Sequence, residues 1–159
     1  MRVTILTVST SVAAGTRADT SGRLLAELAR GAGFDVVGTD VSSDDASQIE
    51  LLLRGYVADA IDVVLTTGGT GLTPDDVTPE ATRAVIEREL PGVAHALMAA
   101  SLQHTPMGML SRAVCGVAGG TIVIGLPGSP RAVEQLFEVV APVLEHAVAA
   151  VAGDARHRD

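Results

Sequence analysis

The chain contains no lysine, and this absence limits the ways in which it can bind a phosphate group. All eleven of its basic residues are arginines. A Schiff-base lysine and the lysine of a P-loop are therefore both excluded. An anionic ligand would have to be held by backbone N–H groups, helix N-termini, a metal ion or arginine.

Cysteine and aromatic residues are also scarce. Cys115 is the only cysteine, so no disulfide can form within the chain, and no Cys/His spacing typical of a metal site occurs. We interpret Cys115 as an inert thiol in the core. Aromatic residues make up 2% of the chain. The core must therefore consist of Val, Leu, Ile and Ala, as in layered α/β domains.

Positive charge and long apolar runs are lacking as well. The formal net charge of −8 disfavours binding of nucleic acid through a basic face. The longest apolar stretch, residues 113–127, is too short and too glycine-rich to span a bilayer. The start, "MRVTILTVSTSVAAG", has a short apolar run interrupted by threonines, which favours a first strand over a signal peptide. We expect a cytoplasmic protein with no membrane or nucleic-acid partner.

Strand and helix patterns alternate along the chain. Apolar, β-branched runs predict strands at 2–8, 34–41 and 61–67, followed by a hairpin over 112–126. The third run is β-branched and apolar throughout, so we expect it to be a central strand. Helical spacing predicts helices over 20–33, 44–59, 78–90, 91–104 and 129–153. This order predicts an α/β fold, a three-layer α-β-α domain with a mainly parallel central sheet. We expect a single domain over 1–153 and a frayed tail over 154–159.

Two helices carry specific boundary signals. Thr78 is the predicted N-cap of the helix over 78–90, with Pro79 at its first position and Glu80 near the positive end of the dipole. Pro142 predicts that the last helix is kinked or split.

The stretch "TTGGTGLTPDDVTPE", from Thr66 to Glu80, follows the third strand and is the strongest candidate for a ligand loop. Its glycines allow close approach of backbone N–H groups and positive φ angles. Its threonines add hydroxyl donors, so the loop can cradle a phosphate without lysine. The candidate residues are Thr67, Gly68, Gly69, Thr70 and Gly71. The alternative is a tight turn with no ligand.

Aspartates follow two neighbouring strands at the same edge of the predicted sheet. Asp75 and Asp76 follow the glycine loop, and Asp44 and Asp45 follow the second strand. Carboxylates beside a phosphate loop repel the ligand unless a cation lies between them, and Mg²⁺ binds carboxylate and phosphate oxygens together. Two such loops can converge on one metal ion. The alternatives are a polar turn at the first pair and helix capping at the second.

A second turn and one arginine complete the set of candidates. Pro127, Gly128 and Ser129 lead from the last strand into the last helix, where Ser129 either caps the helix or meets a ligand. Arg112, preceded by Ser111, either binds an anion or forms a structural ion pair. Histidines and methionines elsewhere lack partner spacing. We interpret the histidines as packing or surface residues and the methionines as core or interface residues.

These motifs occur together in one known family. The segments "TTGGTGLTPDDVTPEAT", "TPMGMLSRAVCGVAG" and "LPGSP" follow the order and spacing of the molybdenum-cofactor biosynthesis family. Over nearly its whole length the chain resembles the molybdopterin adenylyltransferase type and the gephyrin G domain. The resemblance implies a molybdopterin-binding-like α/β fold, a homotrimer, and Mg²⁺-dependent transfer of AMP from ATP to the terminal phosphate of molybdopterin. It further implies that adenylyl-molybdopterin and pyrophosphate are the products and that molybdate insertion follows on a different protein or domain.

The resemblance also assigns roles to particular residues. It implies that Asp44 and Asp76 are the functional aspartates and hold the metal ion. It implies that the glycine loop and the Pro127–Ser129 turn bind nucleotide and pterin. Because the stretch 93–110 is aliphatic and contains methionines, we expect oligomerisation to place part of the site near a subunit boundary.

One departure from the family pattern supports a second hypothesis. Family members commonly carry arginine before the functional aspartate, and this chain has Asp75 there. Loss of a cation beside two phosphate-bearing ligands is compatible with a non-catalytic molybdopterin-binding subunit of the same pathway. A weaker third hypothesis is a relative of the same fold that acts on another nucleotide.

Overall fold

The computed structural model describes residues 1–153, so the predicted frayed tail over 154–159 lies outside the described residues. Strands and helices alternate through most of the chain. The strands are β1 (Arg2–Val8), β2 (Asp35–Ser42), β3 (Val63–Thr67), β4 (Arg88–Glu89), β5 (Cys115–Ala118) and β6 (Thr121–Leu126). The helices are α1 (Thr10–Ala13), α2 (Thr20–Gly31), α3 (Ala46–Ala58), α4 (Thr78–Val85), α5 (Pro91–Leu102) and α6 (Pro130–Val151), with a 3₁₀ helix at Pro106–Leu110.

The strands form one sheet in the order β2-β1-β3-β6-β5-β4. The pairs β1–β2, β1–β3 and β3–β6 are parallel, whereas β5 runs antiparallel to both of its neighbours. The sheet is therefore mainly parallel, and the carboxyl ends of β1, β2, β3 and β6 meet at one edge. The predicted fold class is confirmed.

Each face of the sheet buries its own apolar cluster, and β3 shows how. All five of its residues are buried. Val63 and Leu65 belong to the cluster that includes side chains of α2, α5 and α6, whereas Val64 belongs to the cluster beneath α3 and α4. Successive side chains of a strand point to opposite faces, so a strand covered on both faces is apolar throughout. This explains why its position inside the sheet was predictable.

The predicted helix over 78–90 begins at the expected residue, but its predicted N-cap and its predicted end are wrong. Val77 occupies the N-cap position without a side-chain hydrogen bond, and Thr78 is the first helical residue, with its N–H donating to the Gly69 carbonyl at 3.1 Å. The helix ends at Val85, because Ile86 is extended and β4 pairs with β5. Pro91 disfavours helical geometry at the residue before it. The chain there gains strand hydrogen bonds in place of the last helical turn.

The expected kink or split of the last helix and the predicted hairpin have different outcomes. The last helix runs unbroken from Pro130 to Val151 with Pro142 inside it, so it is not split. Pro142 has no backbone N–H, so the Glu138 carbonyl loses its usual helical donor. Both residues are exposed, and water can satisfy that carbonyl. The predicted hairpin is confirmed, with β5 and β6 joined at Gly119-Gly120 and Gly119 at a φ of 55°.

No helix within residues 1–153 has the length and apolar character needed to cross a membrane.

Candidate functional site

An open cavity of about 680 Å³ lies at the edge where the parallel strands end. Four connections line it, one after each of β1, β2, β3 and β6. In open parallel sheets ligands bind beyond the carboxyl ends of the strands. The fold therefore places the predicted ligand loops at the position where such sheets form their sites.

Glycines let the loops after β3 and β6 touch at the floor of this cavity. Gly68 has a φ of 99°, and a β-carbon there would lie 2.2 Å from the Val8 carbonyl oxygen. A β-carbon at Gly128 would lie 3.2 Å from the Gly68 Cα. The Thr67 hydroxyl ties the loops together by donating to the Pro127 carbonyl at 2.8 Å. Two backbones thus approach closely and leave the surface above them open to a ligand.

Asp44 presents its carboxylate to this cavity. Its Oδ2 accepts hydrogen bonds from the N–H and the hydroxyl of Thr10, both at 2.7 Å. Its Oδ1 lies 3.4 Å from the position that a β-carbon would take at Gly69. Asp45 has a different task, since it is the N-cap of α3 and accepts from two backbone N–H groups. One oxygen of Asp44 is thus fixed by Thr10, while the other lies beside the glycine loop.

Asp76 is held inside its own loop. Its Oδ2 accepts from the Thr73 N–H at 2.8 Å and from the Thr73 hydroxyl at 2.6 Å. Partial burial raises the pKa of Asp76, but hydrogen bonds from Thr73 and the Gly71 N–H lower it more. The charge of Arg112 adds to this effect, so the pKa of Asp76 lies below its ordinary value. Asp76 is not among the described residues that line the cavity.

Arg112 clamps the same loop from the side. Its Nε donates to the Gly71 carbonyl at 2.7 Å, and its Nη2 donates to the Asp76 carbonyl at 2.5 Å. Its Nη1 forms an ion pair with Glu80, which lowers the pKa of Glu80. Its backbone N–H donates to the Thr70 carbonyl at 2.9 Å. These contacts support the structural alternative for Arg112.

A groove of about 370 Å³ lies next to the cavity and is more apolar. Ser129, the N-cap of α6, lines both spaces and accepts a hydrogen bond from the Ala132 N–H at 3.2 Å. Six predicted residues line the cavity, namely Asp44, Thr67, Gly68, Gly69, Gly128 and Ser129. Thr70, Gly71, Ser111 and Pro127 line the groove. The structure thus distributes the predicted set over two adjoining spaces.

The loop after β1 supplies cavity residues that were not among the predicted site residues. Asp19, the N-cap of α2, accepts from the Gly22 N–H and from the Thr7 hydroxyl, both at 2.8 Å. The Ser21 hydroxyl donates to the Gly128 carbonyl at 2.7 Å. Arg17 also lines the cavity. The signal available in the sequence was an aspartate three residues before a glycine, shortly after the first strand.

Residues interpreted as structural mostly fit that interpretation. Burial raises the pKa of Cys115 to about 11, which suits an inert thiol. His95, His104 and His146 are exposed. The methionines at 98, 107 and 109 are exposed too, so the core part of their interpretation is wrong and the interface part stays a prediction.

The donor set fits Mg²⁺ better than a transition metal. In the described part of the chain, no cluster of three or more His, Cys, Asp or Glu side chains is placed to bind a metal ion. Asp44 and Asp76 flank the glycine loop at Gly69 and Gly71, respectively. Mg²⁺ commonly takes one or two carboxylates and completes its shell with phosphate oxygens and water. Such an ion would bind here together with a phosphate ligand.

Comparison with known proteins gives consistent matches. A family model described as "Probable molybdopterin binding domain" matches residues 4–146. The Escherichia coli (strain K12) molybdenum cofactor biosynthesis protein B is 37% identical over 147 residues, covering 91% of this chain and 85% of that protein. The crystal structure of a molybdopterin biosynthesis enzyme MoaB from Thermus thermophilus has a TM-score of 0.90 and 43% identity, covering 96% of both chains.

Some relatives are much longer than this chain. The Drosophila melanogaster molybdenum cofactor synthesis protein cinnamon is 38% identical over 153 residues, which cover 94% of this chain and 25% of that protein. The chain therefore spans about a quarter of the fly protein but most of the bacterial one.

Proposed function

The chain belongs to the family of molybdopterin-binding domains, and from that premise we propose that it adenylylates molybdopterin in molybdenum cofactor biosynthesis. AMP passes from ATP to the terminal phosphate of molybdopterin, with Mg²⁺ required. The observation that carries the proposal is the cavity in which glycine backbone, from the loops after β3 and β6, lies beside the Asp44 carboxylate. This combination of open backbone and a carboxylate suits a ligand made of metal-bound phosphates.

The reaction needs alignment and charge neutralisation more than it needs an acid or a base. An oxygen of the molybdopterin phosphate attacks the α-phosphorus of ATP, and the bond from that phosphorus to the pyrophosphate oxygen breaks. The attacking phosphate is ionised at neutral pH, so no residue has to remove a proton. Preorganised donors aimed at the phosphate oxygens lower the barrier.

The residues of the chain divide this work. Gly68, Gly69 and Gly128 keep the backbone close to the phosphates, and Ser129 lies where the cavity joins the groove. Asp44, which lines the cavity, would hold Mg²⁺ there, and Asp76 would join it from its own side of the glycine loop. The bound ion would supply positive charge to the phosphates. The pterin and adenine rings require apolar surface, which the adjoining groove offers.

Product analysis tests the proposal directly. Purified protein is incubated with molybdopterin, ATP and Mg²⁺, and adenylyl-molybdopterin and pyrophosphate are measured together. Both are expected in equal amounts. Asp76→Asn is expected to lower turnover by roughly 10²–10³-fold. If ATP stays intact in the wild type while molybdopterin binds, the adenylylation proposal is wrong.

That outcome would favour the second candidate, a molybdopterin-binding subunit without catalysis. Two observations support it. Asp75 places an exposed carboxylate beside the glycine loop. Among the described residues that line the cavity, Arg17 is the only one with a basic side chain. Two phosphate-bearing ligands would meet little positive charge there. Detection of ATP-dependent pyrophosphate release would exclude this candidate.

We further propose a homotrimer as the working form, with a molybdate-insertion protein or domain using its product. Five apolar side chains of α5 and the following 3₁₀ helix are exposed, namely Met98, Leu102, Met107, Met109 and Leu110. Exposed apolar patches commonly mark protein interfaces. Sedimentation equilibrium should give three times the chain mass, and a stable monomer would contradict the proposal.

A further inference from the structure

The charged side chains that line the cavity are two acids and one arginine. Asp19, Asp44 and Arg17 are the charged residues of the lining within residues 1–153. The two acids have partners within the chain. Oδ1 of Asp19 accepts a hydrogen bond from the Gly22 N–H, and its Oδ2 accepts one from the Thr7 hydroxyl. Oδ2 of Asp44 accepts from Thr10.

Arg17 is different, because its guanidinium is nearly free. It forms no ion pair with any described residue, and its one side-chain hydrogen bond is donated by Nη2 to the Ser9 hydroxyl at 3.3 Å. A guanidinium carries five N–H donors. Most of them therefore remain available at the wall of the cavity.

The backbone at Arg17 is fixed, although its side chain is exposed. The N–H groups of Thr16 and Arg17 both donate to the Ser11 carbonyl, at 3.0 and 3.1 Å, and the Thr16 hydroxyl donates to the same oxygen at 2.9 Å. An arginine on an anchored turn loses less freedom on binding a ligand than one on a loose loop. Its planar fork matches two oxygens of a phosphate group.

We propose that Arg17 is a ligand-binding residue that holds a phosphate group in this cavity. The proposal rests on the function proposed above, since it needs a phosphate-bearing ligand in the cavity. Arg17 lies in the same lining as the glycines at positions 68, 69 and 128, so a phosphate over that backbone meets a cation from the side. The phosphate can belong to the triphosphate of ATP or to molybdopterin.

The test measures binding with three variants. Arg17→Gln removes the charge, Arg17→Lys keeps the charge without the fork, and Arg23→Gln removes an exposed arginine of α2 that does not line the cavity. Binding of ATP and of inorganic pyrophosphate is measured by calorimetry with Mg²⁺, and binding of molybdopterin by fluorescence. Thermal unfolding of each variant checks that the fold is intact.

We expect Arg17→Gln to weaken binding by roughly 10- to 100-fold, the scale of one charge-assisted contact. Arg17→Lys should lie between Arg17→Gln and the wild type, and Arg23→Gln should bind normally. A loss confined to ATP and pyrophosphate assigns the contact to the triphosphate. A loss confined to molybdopterin assigns it to the molybdopterin phosphate.

The inference and the proposed function can fail separately. Unchanged binding of all three probes in Arg17→Gln overturns the inference, whether or not the wild type is active. A wild type that binds the probes but forms no adenylyl-molybdopterin disproves the activity, and the Arg17 measurements still decide the binding role. A wild type that binds none of the probes overturns both.

Discussion

Asp44 and Asp76 adjoin the same glycine loop from different sides, and only Asp44 faces the cavity. Asp44 is held by one residue, Thr10, and its Oδ1 lies beside Gly69. Asp76 is tied to Thr73 and lies against Gly71, and Arg112 grips the loop around it. The sequence suggests an equivalent pair, whereas the structure shows one carboxylate turned to the ligand space and one that also stabilises the loop.

Because the Asp44 carboxylate is held by Thr10 alone, we expect that Asp44 can be changed without disturbing the fold. Asp44→Asn removes the negative charge but keeps an oxygen that can accept from Thr10. We expect turnover to fall by roughly 10²–10³-fold, with a thermal midpoint within about 2 °C of the wild type. Steady-state kinetics with molybdopterin and ATP, together with thermal unfolding, make the measurement.

Asp45→Asn is the matched control. Asp45 caps α3, and asparagine is an equally good N-cap, so both activity and stability should be retained. Wild-type turnover in Asp44→Asn would remove Asp44 from the catalytic set.

Asp76 should differ from Asp44 in its effect on stability. Asp76→Ala deprives two N–H groups and the Thr73 hydroxyl of their acceptor. Because water can reach this loop, we expect a loss of only about 1–2 kcal/mol in the free energy of unfolding. Urea denaturation measures it.

Its neighbour Asp75 provides the control, since it is exposed and makes no side-chain hydrogen bond with any residue from 1 to 153. Asp75→Ala should change stability by less than about 0.5 kcal/mol. Equal losses in both variants would show that the contacts of Asp76 contribute nothing beyond an ordinary surface position.

Periodicity predicted the sheet because burial on two faces leaves a clear pattern. The apolar strand β3 was predicted as a central strand, and it lies between β1 and β6. The short strand β4 was read as helix, because two exposed residues carry no strand pattern. Its pairing with β5 depends on a long-range contact that no local window contains.

The site was predictable in its loops but not in the direction of its side chains. Strand order was enough to bring the glycine loop, Asp44 and Ser129 to one edge. Whether Asp76 turns toward the cavity or toward Thr73 depends on local turn geometry. Arg112 could be an anion ligand or a clamp, and only its partners decide between these roles. Arg17 carried no signal, since its position at the cavity depends on how the loop after β1 folds.

The smallest expected effect is a pH dependence of stability. It arises because the ion pair between Arg112 and Glu80 helps to hold the Asp76 side of the loop. The hydrogen bond from Arg112 lowers the pKa of Glu80 below its ordinary value of 4.5. A lowered pKa in the folded state means that the pair stabilises the fold at neutral pH, and that this contribution is lost as the pH falls through the folded-state pKa. Glu80→Gln removes it, so the stability difference from the wild type should shrink between about pH 6 and about pH 3.

At neutral pH that difference should be no more than about 1 kcal/mol, and high salt should reduce it, because the pair is partly exposed. Glu50→Gln breaks another partly exposed pair, with Arg54 on α3, and controls for charge loss away from the loop. Proteolysis or amide exchange of residues 71–76 distinguishes the two variants, since only Glu80→Gln should loosen the loop. If both variants leave those amides equally protected at every pH, Arg112 holds the loop through the carbonyls of Gly71 and Asp76 alone. Any acid sensitivity of this side of the site then belongs to the Asp76 carboxylate, whose own pKa is lowered by its hydrogen bonds.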